Sequence, residues 1–323
     1  MRIAKYLGYP LTVVIAALIL IGPFASALRE SQPLADSRPS YGQVVTSPDG
    51  EIFYQIHGGP GPTVFLAHGS GAWSQLWEET TAHLVGQGYQ VVAFDMPPMG
   101  YSGPAKTQDY SRTAQSDRIL ALVDHIGGTP ILVGHSFGAG PMTELAMRHP
   151  KRFKGLVIVS GALGIGSAQT PKALPWFIRP FWLRHDLVTL TSHNPLMTKL
   201  LLRQFVYRKD AITQRHVDIL RQPLNVHGAS DAFTHWVPSL FVSSTDDLSV
   251  WTKNYEALDL PVEMIWGEKD TVTPVSQAVE AQGLMANAGL IVLENVGHIP
   301  HIEAPAEFNA ALISVLSNLT QPQ

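Results

Sequence analysis

The stretch Ile131-Leu132-Val133-Gly134-His135-Ser136-Phe137-Gly138-Ala139-Gly140 decides the fold, because an apolar strand runs directly into a serine flanked by glycines and then into a helix. Glycine two residues before and two residues after Ser136 lets the strand and the helix approach without a clashing Cβ. The turn is so sharp that the serine backbone is strained, and the hydroxyl is exposed above the sheet as a nucleophile. The N–H of Phe137, at the start of the helix, lacks a helical partner and can stabilise a negatively charged oxygen.

Strands and helices alternate on both sides of this turn. Continuous apolar runs predict strands that are covered on both faces, and segments with helical spacing lie between them. The order is typical of a doubly wound, mostly parallel α/β sheet, whose active sites lie at the carboxyl ends of the strands. After a predicted hairpin of Gln43–Thr46 and Glu51–Ile56, the strands are Thr63–Ala67, Gln90–Phe94, Pro130–Gly134, Leu156–Ser160, Val262–Trp266 and Leu290–Leu293.

The N-terminus has the pattern of a membrane-targeting segment. Arg2 and Lys5 precede an uncharged stretch from Tyr6 to Leu28. This length fits a signal peptide, with Ala25-Ser26-Ala27 as its cleavage-like triplet, or a transmembrane helix that anchors the protein in the membrane. A buried core helix is the alternative. Because the basic residues hold the N-terminus in the cytoplasm, we expect the body to be exported and to be periplasmic, secreted or tethered.

The chain is expected to fold as one α/β core with additions. The alternation stops between the strand at Leu156–Ser160 and residue 242, and only helical patterns follow there. An insertion of this length above the strand ends predicts a helical lid. The expected units are the N-terminal segment 1–28, a polar tether 29–40, the core 41–160 and 242–323, and the helical cap 161–241.

Composition excludes several kinds of function. The formal net charge of -4 and the absence of a lysine or arginine cluster argue against nucleic acid as a partner. The chain has no cysteine, which excludes disulfides, thiolate metal sites and a cysteine nucleophile. The 13 histidines are scattered without metal-ligand spacing. We therefore expect no metal and no cofactor, and a small molecule as the ligand.

A serine nucleophile needs a base, and the base needs a carboxylate that orients it. Asp270 follows one predicted strand and His298 follows the next. The chain order of Ser136, Asp270 and His298 is the order expected for such a sheet. Glu268 is the competing acid and His301 the competing base.

These motifs give residues 41–320 a resemblance to the α/β-hydrolase superfamily, in the branch that carries a helical cap. The matching residues are His68-Gly69 with Trp77, the D-x-P-x-x-G-x-S run from Asp95, the turn at Ser136, G-x-x-D at Gly267–Asp270 and G-H-x-P-H at Gly297–His301.

The resemblance implies a role for each matching residue. Ser136 would be the nucleophile, His298 the general base and then acid, and Asp270 the orienting carboxylate. The backbone N–H groups of Ser70 and Phe137 would form the oxyanion hole. Aromatic residues of the lid are expected either to line an apolar substrate pocket or to form the core of the lid; they are Trp176, Phe181, Trp182 and Trp236.

The resemblance implies acyl chemistry, because an aspartate nucleophile marks the epoxide hydrolases and dehalogenases of this superfamily. We expect a carboxylic-ester hydrolase for a small or medium apolar acyl group, acting through an acyl-enzyme intermediate. The loop His68–Gly71 resembles that of the C–C bond hydrolases that act on a diketone or dienoate, although Ala72-Trp73 departs from their Pro-Gly. These hydrolases are the enzymatic alternative. A non-catalytic ligand-binding protein on the same fold is the alternative from another class.

Overall fold

The centre of the molecule is a mostly parallel sheet. The computed structural model describes residues 21–167 and 173–320. The strands are β1 (Gln43–Ser47), β2 (Gly50–His57), β3 (Thr63–Ala67), β4 (Gln90–Phe94), β5 (Ile131–His135), β6 (Gly155–Val159), β7 (Val262–Gly267) and β8 (Ala288–Leu293). They lie in the order β1-β2-β4-β3-β5-β6-β7-β8. The β1–β2 and β2–β4 pairs are antiparallel and the other pairs are parallel. The predicted fold class is confirmed.

Helices cover both faces of this sheet. They are α1 (21–29), α2 (Leu34–Ser37), α3 (Glu78–Gly86), α4 (Arg112–Ile126), α5 (Ala139–Arg148), α6 (Phe181–Leu190), α7 (Thr198–Phe205), α8 (Gln214–Arg221), α9 (Ala229–Trp236), α10 (Thr252–Glu256), α11 (Val275–Leu284), α12 (Pro300–Glu303) and α13 (Pro305–Thr320). Apolar residues of α4, α5 and α11 pack on one face of the sheet, and those of α3 and α13 pack on the other. Covered in this way, β5 is buried along its whole length.

The stretch predicted as a helical cap lies between β6 and β7, and its described part is helical. That it covers the site stays a prediction. Its helices are α6 to α9, and α6 packs against α9. Phe233 and Trp236 of α9 join the apolar core that lies under the cap. Residues 168–172, which belong to the predicted cap, lie outside the described residues.

The predicted transmembrane helix, and the attachment to a membrane that it implied, are wrong. Over residues 21–167 and 173–320, no helix combines the length and the apolar character that crossing a bilayer requires. Residues 1–20, which hold most of the predicted segment, lie outside the described residues. The signal-peptide and export predictions rest on those residues and stay predictions.

The stretch predicted as a tether contacts the cap. Arg29 donates hydrogen bonds to the Leu224 carbonyl at 3.1 Å and to Ser230 Oγ at 2.8 Å. Glu30 is buried, and Gln32 forms a β-bridge with Val226. Polar composition indicated a free linker here, but these polar side chains find buried partners on the cap instead.

The two glycines of the central turn are required by close backbone approach. A Cβ added at Gly134 would lie 2.7 Å from Cα of Ala139. A Cβ at Gly138 would lie 2.5 Å from the carbonyl oxygen of His68. Because backbone atoms cannot rotate away as a side chain does, β5 approaches α5 this closely only with glycine at 134, and the turn approaches the end of β3 only with glycine at 138.

We expect Gly134→Ala to lower the free energy of unfolding by ~3 kcal/mol, because the added methyl overlaps the backbone. Gly283→Ala is the matched control, since that glycine lies within α11 and nothing lies within 4 Å of an added Cβ. There the substitution should raise stability by about 0.5–1 kcal/mol. Urea unfolding of both variants measures the difference. Equal shifts would contradict the close approach of β5 and α5.

Candidate active site

Ser136 occupies the strained turn between β5 and α5. Its φ is +51°, in the left-handed region that non-glycine residues seldom adopt. The residue is 7% exposed and lies at the carboxyl end of an interior strand. Local strain of this kind persists only where the surroundings impose it, and it holds the hydroxyl in one position.

The structure brings Ser136, His298 and Asp270 into one hydrogen-bonded line. Ser136 Oγ lies 2.8 Å from His298 Nε2, and His298 Nδ1 lies 2.8 Å from Asp270 Oδ2. All three side chains are buried. Because an ionised carboxylate only accepts hydrogen bonds, Nδ1 carries the proton, and Nε2 is left to accept the hydrogen bond from the serine hydroxyl.

Asp270 is fixed by its own turn. Its Oδ1 accepts hydrogen bonds from the N–H groups of Val272 at 2.8 Å and Thr273 at 2.9 Å. The Thr273 hydroxyl lies 2.9 Å from Oδ2 and 3.0 Å from the Ser160 carbonyl. Burial alone would raise the pKa of Asp270, but the hydrogen bond from His298 and these N–H groups outweigh it and lower the pKa below its ordinary value. The carboxylate is therefore ionised at neutral pH.

Glu268, the competing acid, has other partners. It is exposed, and its carboxylate accepts hydrogen bonds from Asn295 N–H at 3.0 Å and Lys269 Nζ at 3.1 Å. The carboxylate that reaches His298 is that of Asp270.

Two further imidazoles lie under His298. His135 Nε2 donates a hydrogen bond to the main-chain carbonyl of His298 at 2.9 Å. His301, the competing base, stacks on Trp77 with the ring centroids 4.0 Å apart. Burial and then the neighbouring His298 lower the pKa of His135 to about 3, and burial and then His135 lower the pKa of His301 well below its ordinary value. Both rings are therefore neutral, and His135 supports the His298 backbone.

The cap also holds the His298 loop. His298 N–H donates to the carbonyl of Phe205, the last residue of α7, at 2.8 Å. The buried carboxylate of Glu303 accepts from Gly297 N–H at 2.8 Å through Oε2, and from Tyr207 N–H at 2.9 Å through Oε1. One carboxylate thus connects the end of α7 to the loop that carries His298, and we call this pair of contacts the clamp at Glu303.

The two expected oxyanion donors lie at the ends of neighbouring strands. Ser70 follows β3, which pairs with β5, and an added Cβ on Gly69 would lie 3.0 Å from Ser136 Cβ. Among the described residues, the Ser70 N–H has no hydrogen-bond partner. Phe137 is the second residue of the helical turn that begins at Ser136. The backbone near Ser136 therefore offers the Ser70 N–H as a donor that the described residues do not use.

The predicted pocket aromatics lie in different places. Trp236 is fully buried, and its ring meets Phe137 edge-on with the centroids 4.8 Å apart. Trp176, Trp182 and Phe181 expose 78%, 42% and 37% of their surface on the cap. Trp236 thus contacts the residue after Ser136, and pocket lining by the other three stays a prediction.

Several supporting groups escaped sequence reasoning. Thr273 had a local signal, because a threonine three residues after an aspartate is typical of a side-chain-capped turn. The carbonyl of Phe205 and the carboxylate of Glu303 had none, since their partners lie about a hundred residues away.

A buried serine, histidine and aspartate at the carboxyl ends of a mostly parallel sheet are the arrangement of the α/β-hydrolase fold. The family model of the alpha/beta hydrolase fold matches residues 62–305. The chain belongs to this family.

The relatives support hydrolase activity. The chain is similar to 2-hydroxymuconate semialdehyde hydrolase of Pseudomonas sp. (strain CF600), with 26% identity over 257 residues, 77% of this chain and 85% of the relative. An esterase from Exiguobacterium antarcticum has a TM-score of 0.70 and 20% identity, covering 85% of this chain and 99% of its own. A membrane phospholipase A, described as a bacterial virulence factor, has a TM-score of 0.69 and 22% identity and covers 99% of both chains. At these identities the two structures show the fold alone.

We expect Glu303→Gln to lower the free energy of unfolding by about 1–3 kcal/mol, because an amide NH₂ replaces one of the buried acceptors. Glu307→Gln is the control, since that exposed carboxylate pairs with Arg208 at 3.0 Å on the surface and should contribute less than about 1 kcal/mol. Urea unfolding measures both variants. A Glu303 variant as stable as the Glu307 variant would count against the clamp.

Proposed function

We propose that the protein is a serine hydrolase that cleaves a carboxylic ester of a small or medium apolar acyl group through an acyl-enzyme intermediate. The observation that carries this proposal is the buried line of hydrogen bonds from Ser136 Oγ through His298 to Asp270. Similarity to a curated hydrolase supports the hydrolytic part of the proposal.

The proposed reaction follows from the positions of the hydrogens. Ser136 Oγ attacks the ester carbonyl, and His298 Nε2 takes its proton. The ionised Asp270 stabilises the resulting imidazolium through Nδ1–H. The N–H groups of Ser70 and Phe137 stabilise the oxyanion of the tetrahedral intermediate. His298 then protonates the leaving alcohol. In the second half of the reaction, His298 takes a proton from the water that attacks the acyl carbonyl, and it returns this proton to Ser136 Oγ as the acid leaves.

C–C bond hydrolysis of a diketone or dienoate is the second candidate. The observation that favours it is similarity to a 2-hydroxymuconate semialdehyde hydrolase. The same three residues serve either reaction, so turnover on matched substrates must separate them. A panel of p-nitrophenyl esters of graded chain length, assayed beside a 2-hydroxy-6-oxo-dienoate, is the test. A kcat/KM for the dienoate above that for every ester would overturn the ester assignment.

For the triad, we expect Ser136→Ala and His298→Ala each to lower kcat by at least ~10⁴, and the double variant to be little worse, because the residues act as one unit. A sulfonyl fluoride should label Ser136, and mass spectrometry of the digested protein locates the label. A protein that binds the esters unchanged without turning any over would be the ligand-binding alternative.

Two isosteric substitutions, Asp270→Asn and Glu268→Gln, distinguish which carboxylate orients His298. Asp270→Asn should lower kcat by a factor approaching ~10⁴, because the amide stabilises the wrong tautomer of His298. Glu268→Gln should leave kcat within about threefold, since that side chain is solvent-exposed. The reverse order, with both proteins folded by circular dichroism, would reassign the orienting carboxylate.

A further inference from the structure

His193 lines a small cavity between the core and the cap. The cavity has a volume of about 30 Å³, enough for a group the size of a water molecule or a carbonyl. One wall comes from the loops after β3 and β4 and includes Gly71, the neighbour of Ser70. The other wall comes from the cap and includes Phe233, which contacts Trp236, the residue that packs on Phe137. The cavity thus lies between the cap and the loop that carries Ser70.

His193 is the one residue of this lining with a hydrogen-bonding nitrogen in its side chain. The other side chains are apolar or absent; they are Gly71, Ala72, Pro98, Met99, Gly100, Leu220, Pro223, Leu224, Ala229 and Phe233. The imidazole is 7% exposed and packs on the Phe233 ring with the centroids 4.6 Å apart. Its main chain is fixed by a hydrogen bond to the Val188 carbonyl at 2.9 Å.

A chain of hydrogen bonds fixes the proton on this ring. Arg29 donates to Ser230 Oγ at 2.8 Å, and Ser230 Oγ lies 3.2 Å from His193 Nδ1. Arginine only donates, so the Ser230 oxygen accepts from it and the Ser230 proton is free to be donated. Within the described residues, His193 Nδ1 is the acceptor in reach of that proton. Nδ1 therefore accepts, and the proton of the neutral ring is on Nε2.

Within the part of the chain that the structure describes, the His193 side chain forms its hydrogen bond through Nδ1, which leaves Nε2 available to a ligand. Burial and then the charge of Arg29 lower the pKa of His193 to about 3, so the ring is neutral at physiological pH. The walls are apolar, and a single neutral donor does not offset the cost of burying a carboxylate. A neutral oxygen, as in a ketone or an ester carbonyl, suits this donor.

We infer that His193 is a specificity-determining residue whose Nε2–H binds a second, neutral carbonyl oxygen of the substrate, apart from the scissile one. This inference rests on the proposed function, since the cavity adjoins the proposed oxyanion loop. It narrows the substrate class to apolar esters that carry a further carbonyl group.

The test compares p-nitrophenyl hexanoate with its 3-, 4- and 5-oxo derivatives, and acetate esters of hexanol with those of the oxo-hexanols. These two series place the extra carbonyl on the acyl or on the alcohol side. We expect one oxo ester to exceed its plain partner about tenfold in kcat/KM, the contribution of one buried hydrogen bond. In His193→Phe this ratio should fall to about one. The p-nitrophenyl monoester of adipic acid, which carries a carboxylate, should not be preferred.

Two further variants test whether the His193 ring causes the preference for the oxo ester. Ser230→Ala, which removes the group that fixes the tautomer, should lower the oxo preference about threefold. His227→Phe on the exposed cap surface should leave it unchanged. The inference is overturned if no oxo ester is preferred, or if the preference is the same in the wild type and in His193→Phe. In that case, Ser136-dependent turnover of the plain esters still supports the proposed function. Loss of all Ser136-dependent ester turnover counts against the proposed function instead.

The tautomer is measured without any substrate. Two-bond ¹H–¹⁵N correlation spectra of histidine-labelled protein distinguish the two neutral imidazole forms, and the His193→Phe spectrum identifies the His193 signals. We expect the form with the proton on Nε2, with no protonation between pH 5 and pH 8. A proton on Nδ1 would overturn the inference whatever the substrate specificity proves to be.

Discussion

The hydrogen bond between Ser136 Oγ and His298 Nε2 joins residues that are 162 positions apart in the chain, and the surrounding structure holds both ends of it. On the serine side, the close approach of β5 and α5 imposes the positive φ at Ser136. On the histidine side, four elements hold one loop through Asp270, the imidazole of His135, the carbonyl of Phe205 and the clamp at Glu303. A short bond between two buried side chains needs this support, because the side chains lose rotamer freedom on burial.

The sequence predicts the part of this arrangement that depends on local pattern. Continuous apolar runs identify the buried parallel strands, since strands covered on both faces have no polar side. Because parallel strands end at one edge of the sheet, the residues that follow β5, β7 and β8 come together there, and Ser136, Asp270 and His298 follow these strands. The groups that orient them from the cap have no such signal. The Arg29, Ser230 and His193 contacts connect three separate segments, and no local pattern indicates their pairing.

The error at the N-terminus has a physical reason. An apolar composition without charges indicates how readily a segment leaves water. It does not indicate whether the segment enters lipid or packs on protein. Helix α1 packs on the cap at the buried Gly22, whose N–H donates to Asp186 Oδ1 at 2.8 Å. Small residues allow the two backbones to approach, and they contribute little to an apolar pattern. The contacts of Arg29 and Glu30 continue this packing.

The distribution of charge around the buried histidines supports His298 as the base of the proposed reaction. His68, His135, His193 and His301 are buried, and burial holds the pKa of each below its ordinary value. For His298, the described structure places the Asp270 carboxylate 2.8 Å from Nδ1. A proton taken from Ser136 creates a cation, and a cation in a buried site is stable only beside an opposite charge. In the proposed reaction, Asp270 therefore makes His298 the imidazole that becomes charged, while the other buried imidazoles stay neutral.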